Sequence, residues 1–244
     1  MNPTFNVYDD ARRAETYARL EFPGTYYLAY RDLPEVISRH VRGRRALDFG
    51  CGTGRSTRFL KQLGFEVAGV DIAADMIRLA RDLDPAGDYR LINDGDFRQF
   101  DDGALDLVLS VFTFDNIPTA ARKIGIFAEL GRLLAPEGRI VSVVSDPGIY
   151  LHEWASFSTK DFPENRRAGV GDKVKIIITD TEDARPVEDI VWPDAAYRDV
   201  YERAGLETLE TLKPLATGAE PYGWVSETTI APWVIYVVKK APRR

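Results

Sequence analysis

Cysteine and histidine are almost missing from this chain: among 244 residues Cys51 is the single thiol, and His40 and His152 are the two imidazoles. A lone cysteine forms no intrachain disulfide and no cysteine metal cluster, so no metal is expected. An excess of positive charge is missing as well. Lys and Arg total 32 against 38 Asp and Glu, a formal net charge of -6 with an isoelectric point near 5.1. Nucleic-acid partners normally leave a basic footprint, and none is expected here. No run approaches the roughly 18 apolar residues that span a bilayer. The opening MNPTFNVYDDARR carries acidic groups and no apolar stretch of the secretory kind. These absences lead to the expectation of a cytoplasmic protein, monomer or homodimer, without membrane or nucleic-acid partners.

What is present is alternation. RRALDFG (44–50) is a continuous apolar run closed by glycine, as in a strand covered on both faces. A helix follows over 55–64, a strand over 65–71, a helix over 73–83, a weaker strand over 88–94 and a strong one over 104–112. The helical pattern 119–134 and the strand GRIVSVVS (138–145) complete the run. Strand and helix in turn imply right-handed crossovers and a parallel sheet, an α/β fold. The pattern breaks over 146–192, where VKIIITD and VEDIVW predict an inserted antiparallel hairpin. A helix over 193–205 and two strands, LETLETL and WVIYVVKK, end the chain, the last pair expected to run antiparallel. One domain is expected, divided into a cover (1–43), a core (44–145), the insertion (146–192) and a C-terminal helix and strand pair (193–244).

The stretch ALDFGCGTGR (46–55) ends its strand in three glycines within five positions, the layout that brings a small ligand to a helix N-terminus. The dinucleotide fingerprint is G-x-G-x-x-G, and Arg55 stands where its third glycine belongs. A phosphate-binding loop requires Lys before Ser or Thr, and Arg55–Ser56 does not supply it. Asp48, two residues before Gly50, ends a buried strand and must be paired. Its partner is either a cationic ligand amine or the loop's own amides. Asp71 ends the second strand, where a carboxylate accepts both hydroxyls of a ribose. Asp94 and Asp96 follow the third strand, placed to accept from an exocyclic base amine. Three successive strands thus end in aspartate on the edge where open α/β sheets bind ligands.

At these residues the chain resembles the class I S-adenosylmethionine-dependent methyltransferases that act on small molecules. ALDFGCGTGR is similar to their first motif, GVDIAADMI to the acidic second and NDGDFRQF to the adenine-binding third, with DLVLSVFTF and LGRLLAPEGRIV similar to later segments. The resemblance implies a Rossmann-like doubly wound sheet of seven strands in the order 3-2-1-4-5-7-6, the last antiparallel. It also implies S-adenosylmethionine as cofactor and S-adenosylhomocysteine as product. Asp48, Gly50 and Gly52 would lie near the methionine moiety, Asp71 would hold the ribose and Ile72 would cover the adenine. Asp94 would accept the adenine amine beside the Gly95 backbone, and Ser110 and Val111 would border the methionine end. Cys51, Met76 and Asp96 belong to the same implied cofactor-binding set. Relatives often hold the methionine carboxylate with a tyrosine or arginine of the cover, which makes Tyr8, Tyr17 and Arg31 the candidates. The chain departs from many relatives after the fourth strand, where Asp115–Asn116 replaces a His–His pair.

The expected reaction moves a methyl group to O, N or C of a small-molecule acceptor. Candidate catalytic residues are His152, which follows the fifth strand on the cofactor edge, and Asp115, suited to a cationic or hydrogen-bonding acceptor. His152 also reads as a loop residue without a task, and Asp115 as a residue of a helix N-terminus. Phe157, Trp154 and Trp192 are expected to wall the acceptor pocket opposite an aromatic-rich cover. Two other functions fit parts of the pattern: a non-catalytic S-adenosylmethionine-binding module, and a nicotinamide-dependent oxidoreductase, against which Arg55 speaks.

Overall fold

The structure, a computed structural model, describes residues 23–242. Its centre is a seven-stranded sheet. In chain order the strands are β1 (Arg45–Phe49), β2 (Glu66–Asp71), β3 (Asp88–Leu91), β4 (Leu105–Val111) and β5 (Leu134–Ser145). An inserted three-stranded sheet holds β6 (Phe157–Ser158), β7 (Lys173–Ile178) and β8 (Val187–Ile190), and β9 (Leu206–Leu212) and β10 (Trp233–Lys240) return to the main sheet. The order β3-β2-β1-β4-β5-β10-β9, with β10 antiparallel to both neighbours, agrees with the order read from the resemblance.

The helices are α1 (Thr25–Arg31), α2 (Leu33–His40), α3 (Arg55–Gln62), α4 (Ala74–Leu83), α5 (Ala120–Leu133) and α6 (Asp194–Arg203). Helix α5 starts at Thr119, whose side chain accepts from the Arg122 amide, an ordinary N-cap arrangement. Strand alternation divides the core in two. Leu107, Leu109, Ile235 and Val237 join the cluster beneath α1 and α2, while Val108, Val234, Tyr236 and Val238 join the one beneath α5 and α6. Both faces of the sheet are therefore covered, which is why its strands read as near-continuous apolar runs.

Three details depart from the sequence reading. β3 stops at Leu91 rather than residue 94, because Asn93 accepts a turn bond from Asp96 N and Gly95 takes φ +73°. β5 begins at Leu134, directly after α5. The insertion is a sheet of three strands, β6 adding Phe157 and Ser158 opposite Ile178 and Ile177 of the expected hairpin.

Candidate active site

The glycine turn lies between β1 and α3, bonded down to β2 through Gly50 N and Cys51 N, which both donate to the Val70 carbonyl. Gly50, Gly52 and Gly54 all take positive φ, open to glycine at no steric cost. Their surroundings differ. A Cβ on Gly50 would lie 2.1 Å from Thr113 Oγ1, and one on Gly54 2.6 Å from the Tyr89 hydroxyl. One on half-buried Gly52 would meet no atom within 4 Å. The outer glycines are thus required by the protein's own packing, and the middle one faces open space, hereafter the hollow. Gly95, beyond β3, has the same open surroundings.

Asp71 frames that hollow. Its Oδ2 accepts from Gly52 N at 2.8 Å and its Oδ1 from Ala73 N at 2.9 Å, tying the glycine turn to the end of β2. The next residue, Ile72, is 42% exposed, a large apolar side chain uncovered at a strand end. Asp48 is fully buried beneath the turn, and its Oδ2 accepts from Ser56 Oγ and Thr57 Oγ1 of the first turn of α3. These hydroxyls, not the loop amides, are its protein partners, and its Oδ1 has none among the described residues. Burial pushes the Asp48 carboxyl up to about 6, opposed by the two hydroxyl bonds. Cys51 and Met76 are buried, and burial raises the Cys51 thiol well above its usual range.

On the third strand end Asp94 pairs with Arg122 of α5, and Asp96 pairs with Arg98 at 2.6 Å. A hollow beside edge strand β3 is lined by Leu91, Asn93, Asp96, Arg98 and neighbours, without Asp94 or Gly95. Ser110 is fully buried in β4, its Oγ without a partner among the described residues, in register with Ser142 of β5, and Val111 is also buried. Neither side chain lies open on the sheet edge.

Past Val111 the backbone turns sharply at Phe112, the only described residue other than glycine with positive φ, at +65°. Such a conformation in a bulky residue is strained and tends to persist where surrounding packing holds it. The Phe112 ring packs 4.5 Å from the Trp233 ring and 5.8 Å from that of Tyr26. The one-turn 3-10 helix Thr113–Asn116 then carries Asp115 into the interior, 3% exposed. Its carboxylate accepts from Ser145 N, Ser145 Oγ and Tyr197 Oη. Close by is Lys123 of α5, fully buried, donating to the Phe114 carbonyl and lying over the Trp192 and Tyr197 rings. Burial moves both groups toward their neutral forms, and their mutual attraction opposes this.

Asp115, Ser145, Tyr150 and Asp189 line a cavity of about 40 Å³ together with Tyr26, Phe112, Phe157 and Trp233. The expected insertion residue Phe157 is thus on its wall. Trp154 is buried with its indole donating to the Ile149 carbonyl, and Trp192 packs on Lys123. His152 is exposed, edge-on to Trp154 at 6.4 Å, and is not among the cavity's lining residues. Arg31 donates to Asp32, Glu220 and the Leu215 carbonyl. Tyr8 and Tyr17 fall outside the described residues. Sequence reasoning missed Lys123, Tyr150 and Asp189. One signal was present: Lys123 lies three and four positions before the inward Ile126 and Phe127, so a helical wheel puts a lysine on the apolar face.

Residues 47–142 match the family model of a methyltransferase domain. A demethylmenaquinone methyltransferase of Tropheryma whipplei is 36% identical over 102 residues, 41% of this chain and 41% of that protein. A ubiquinone biosynthesis O-methyltransferase of Nitrosococcus oceani is 30% identical over 112 residues, 43% of this chain and 46% of that one. The matches thus span less than half the length of these relatives. Among solved structures, the CcbJ methyltransferase of Streptomyces caelestis superposes with a TM-score of 0.61 at 17% identity, covering 91% of this chain and 100% of that one. An S-adenosylmethionine-dependent methyltransferase of Clostridium acetobutylicum gives 0.62 at 13% identity, covering 96% of each. Residues 47–142 are thus similar to a methyltransferase domain, on the fold that S-adenosylmethionine-dependent methyltransferases share, and the cofactor this implies is S-adenosylmethionine. The site fits that molecule in three respects: the open space over Gly52, a buried Asp48 Oδ1 without a partner among the described residues, and exposed Ile72 beside Asp71.

Proposed function

We propose that this chain transfers the methyl group of S-adenosylmethionine to a small-molecule acceptor. The observation that carries the reading is the hollow over Gly52, framed by Asp71 at the junction of β1 and β2. When bound, the cofactor supplies a methyl group already activated on a sulfonium. The protein's task is then alignment and exclusion of water. Asp71 accepts the ribose hydroxyls while its other lone pairs keep hold of Gly52 N and Ala73 N. Ile72 covers one face of the adenine, and Gly95 admits the base to the backbone. Asp94 accepts the adenine amine and shares its charge with Arg122. Asp48 holds α3 against the turn, and Gly50 keeps Thr113 close behind it.

The acceptor side begins where Phe112 turns the chain from β4 toward the aromatic-lined cavity. In this reading residues 44–145 form the cofactor core and 146–192 the acceptor wall, in a cytoplasmic enzyme; of the expected cover, 1–43, residues 1–22 lie outside the described residues. A pocket with apolar walls and a few convergent polar groups suits a small acceptor and favours catalysis over a mere binding module. Incubation with methyl-labelled S-adenosylmethionine and a cellular small-molecule extract tests this. Label should move into a new small-molecule fraction with stoichiometric release of S-adenosylhomocysteine. Cofactor binding with no transfer from any fraction would instead mark a binding module.

A further inference from the structure

One fully buried carboxylate has no part in the site described above. Glu227, in the segment between β9 and β10, accepts from Thr25 Oγ1 at 2.6 Å, Ala155 N at 2.7 Å and Val225 N at 2.8 Å. All three donors are uncharged. Replacing such buried polar partners together by apolar groups can be nearly neutral or even stabilising, so stability alone is a weak reason for this carboxylate. What it does is join three segments. Thr25 opens α1; its amide donates to Ser156 Oγ at 2.9 Å, and its Oγ1 accepts from Ser156 N at 3.1 Å. The Thr25 carbonyl accepts from the Trp233 indole at 2.8 Å. The fit is close, since a Cβ on neighbouring Gly24, at φ +48°, would lie 2.4 Å from Ser156 Oγ.

The residues next to this clamp are walls of the cavity beyond Phe112. Tyr26 follows Thr25, Phe157 follows Ser156, and Trp233 opens β10. Their ring centroids lie 5.0 Å (Tyr26 to Phe157), 5.8 Å (Phe157 to Trp233) and 6.1 Å (Tyr26 to Trp233) apart. The fourth ring, Phe112, follows β4 and lies 4.5 Å from Trp233. We infer that Glu227 is a positioning residue for the methyl acceptor, clamping Thr25 and Ala155 and through them spacing the Tyr26, Phe157 and Trp233 rings. The inference rests on the methyl-transfer reading above. Glu227 is not a lining residue, so it acts through its neighbours. The cavity's 40 Å³ is about the room of three waters, so a small shift of its walls changes what it holds. Misplacement of a reactant by about an ångström also costs rate. The cofactor hollow is built from other residues, Gly52 and Asp71, and cofactor affinity should not depend on the clamp.

Glu227→Gln and Thr25→Val, each in the full chain, test this beside the parent; the valine removes the Thr25 hydroxyl and keeps its shape. The donor is methyl-labelled S-adenosylmethionine. The acceptor probe is the small-molecule extract fraction into which the parent transfers label, titrated by dilution. Each variant should raise the KM for that fraction about tenfold. The KM for S-adenosylmethionine and the affinity for S-adenosylhomocysteine should stay as in the parent. The double variant should be little worse than either single one, because both break the same clamp. A clamp that serves folding alone would lower the maximal rate with the folded fraction and leave both KM values in place, and that result overturns the inference. Loss of S-adenosylhomocysteine binding in both variants overturns it too. A parent chain that moves no label into any fraction overturns the methyl-transfer reading itself, and the positioning role falls with it.

Discussion

The glycine turn shows how three identical residues do different work. Gly50 and Gly54 are demanded by Thr113 and Tyr89, whereas the space over Gly52 holds no protein atom. Gly52→Ala therefore separates folding from binding. Its Cβ meets no protein atom, so stability should fall only by about 1 kcal/mol from the positive φ, while affinity for S-adenosylhomocysteine drops more steeply. Equal losses in denaturant melts and in titrations would place the ligand elsewhere. Asp71→Ala should weaken the cofactor by about 1.5–3 kcal/mol, the scale of hydrogen bonds to a charged acceptor; unchanged affinity would remove Asp71 from the site. Asp48 makes a prediction of opposite character. Its carboxyl, raised from 3.8 to about 6 by burial, binds its proton more tightly folded than unfolded. Its contribution is fully present below about pH 3.8 and is lost as pH rises to about 6, a change of about 3 kcal/mol at most. Urea unfolding of Asp48→Asn should therefore show a smaller loss of stability between pH 4 and pH 7 than the parent chain. An identical loss would contradict the account of its burial.

At the scale of elements, the strand pair LETLETL and WVIYVVKK was legible to the residue, because β9 and β10 are bounded by turn-forming and polar residues. Asp71 at the end of β2 was legible too, since alternation of strand and helix fixes its edge, whereas Asp94 lies three residues past the end of β3. Long-range pairings were not. Arg122 meets Asp94 across 28 positions, and Asp189 meets Tyr150 across 39, and neither pair leaves a local pattern. Strand β6 has two residues, too few for any periodicity. His152 was placed correctly after β5, but a loop gives no facing, and the side chain is exposed. Glu227 is another element-scale feature without a local signal. Fully buried in the segment between β9 and β10, it accepts from Thr25 Oγ1 at 2.6 Å, Ala155 N at 2.7 Å and Val225 N at 2.8 Å. It joins α1, the insertion and the C-terminal pair at one carboxylate. Glu227→Gln should cost about 1–3 kcal/mol through the acceptor it removes and speed amide exchange at Ala155 and Val225. Unchanged exchange at both would mean that the junction is held by packing alone.

Over the whole molecule, two structures share one chain. The seven-stranded sheet with α3, α4 and α5 is the part whose motifs are legible, because cofactor chemistry restricts residue types at strand ends. The proposed acceptor wall of α1, β6–β8 and the start of β10 has no such repertoire; what it offers is aromatic rings and carboxylates brought together from positions 26 to 233. The account depends first on the cofactor hollow, and calorimetry of the purified chain with S-adenosylhomocysteine probes it most directly. One-to-one binding at micromolar strength or tighter, about -8 kcal/mol or better, and lost in Gly52→Val, is the predicted result. No heat and no thermal shift at millimolar ligand would contradict it.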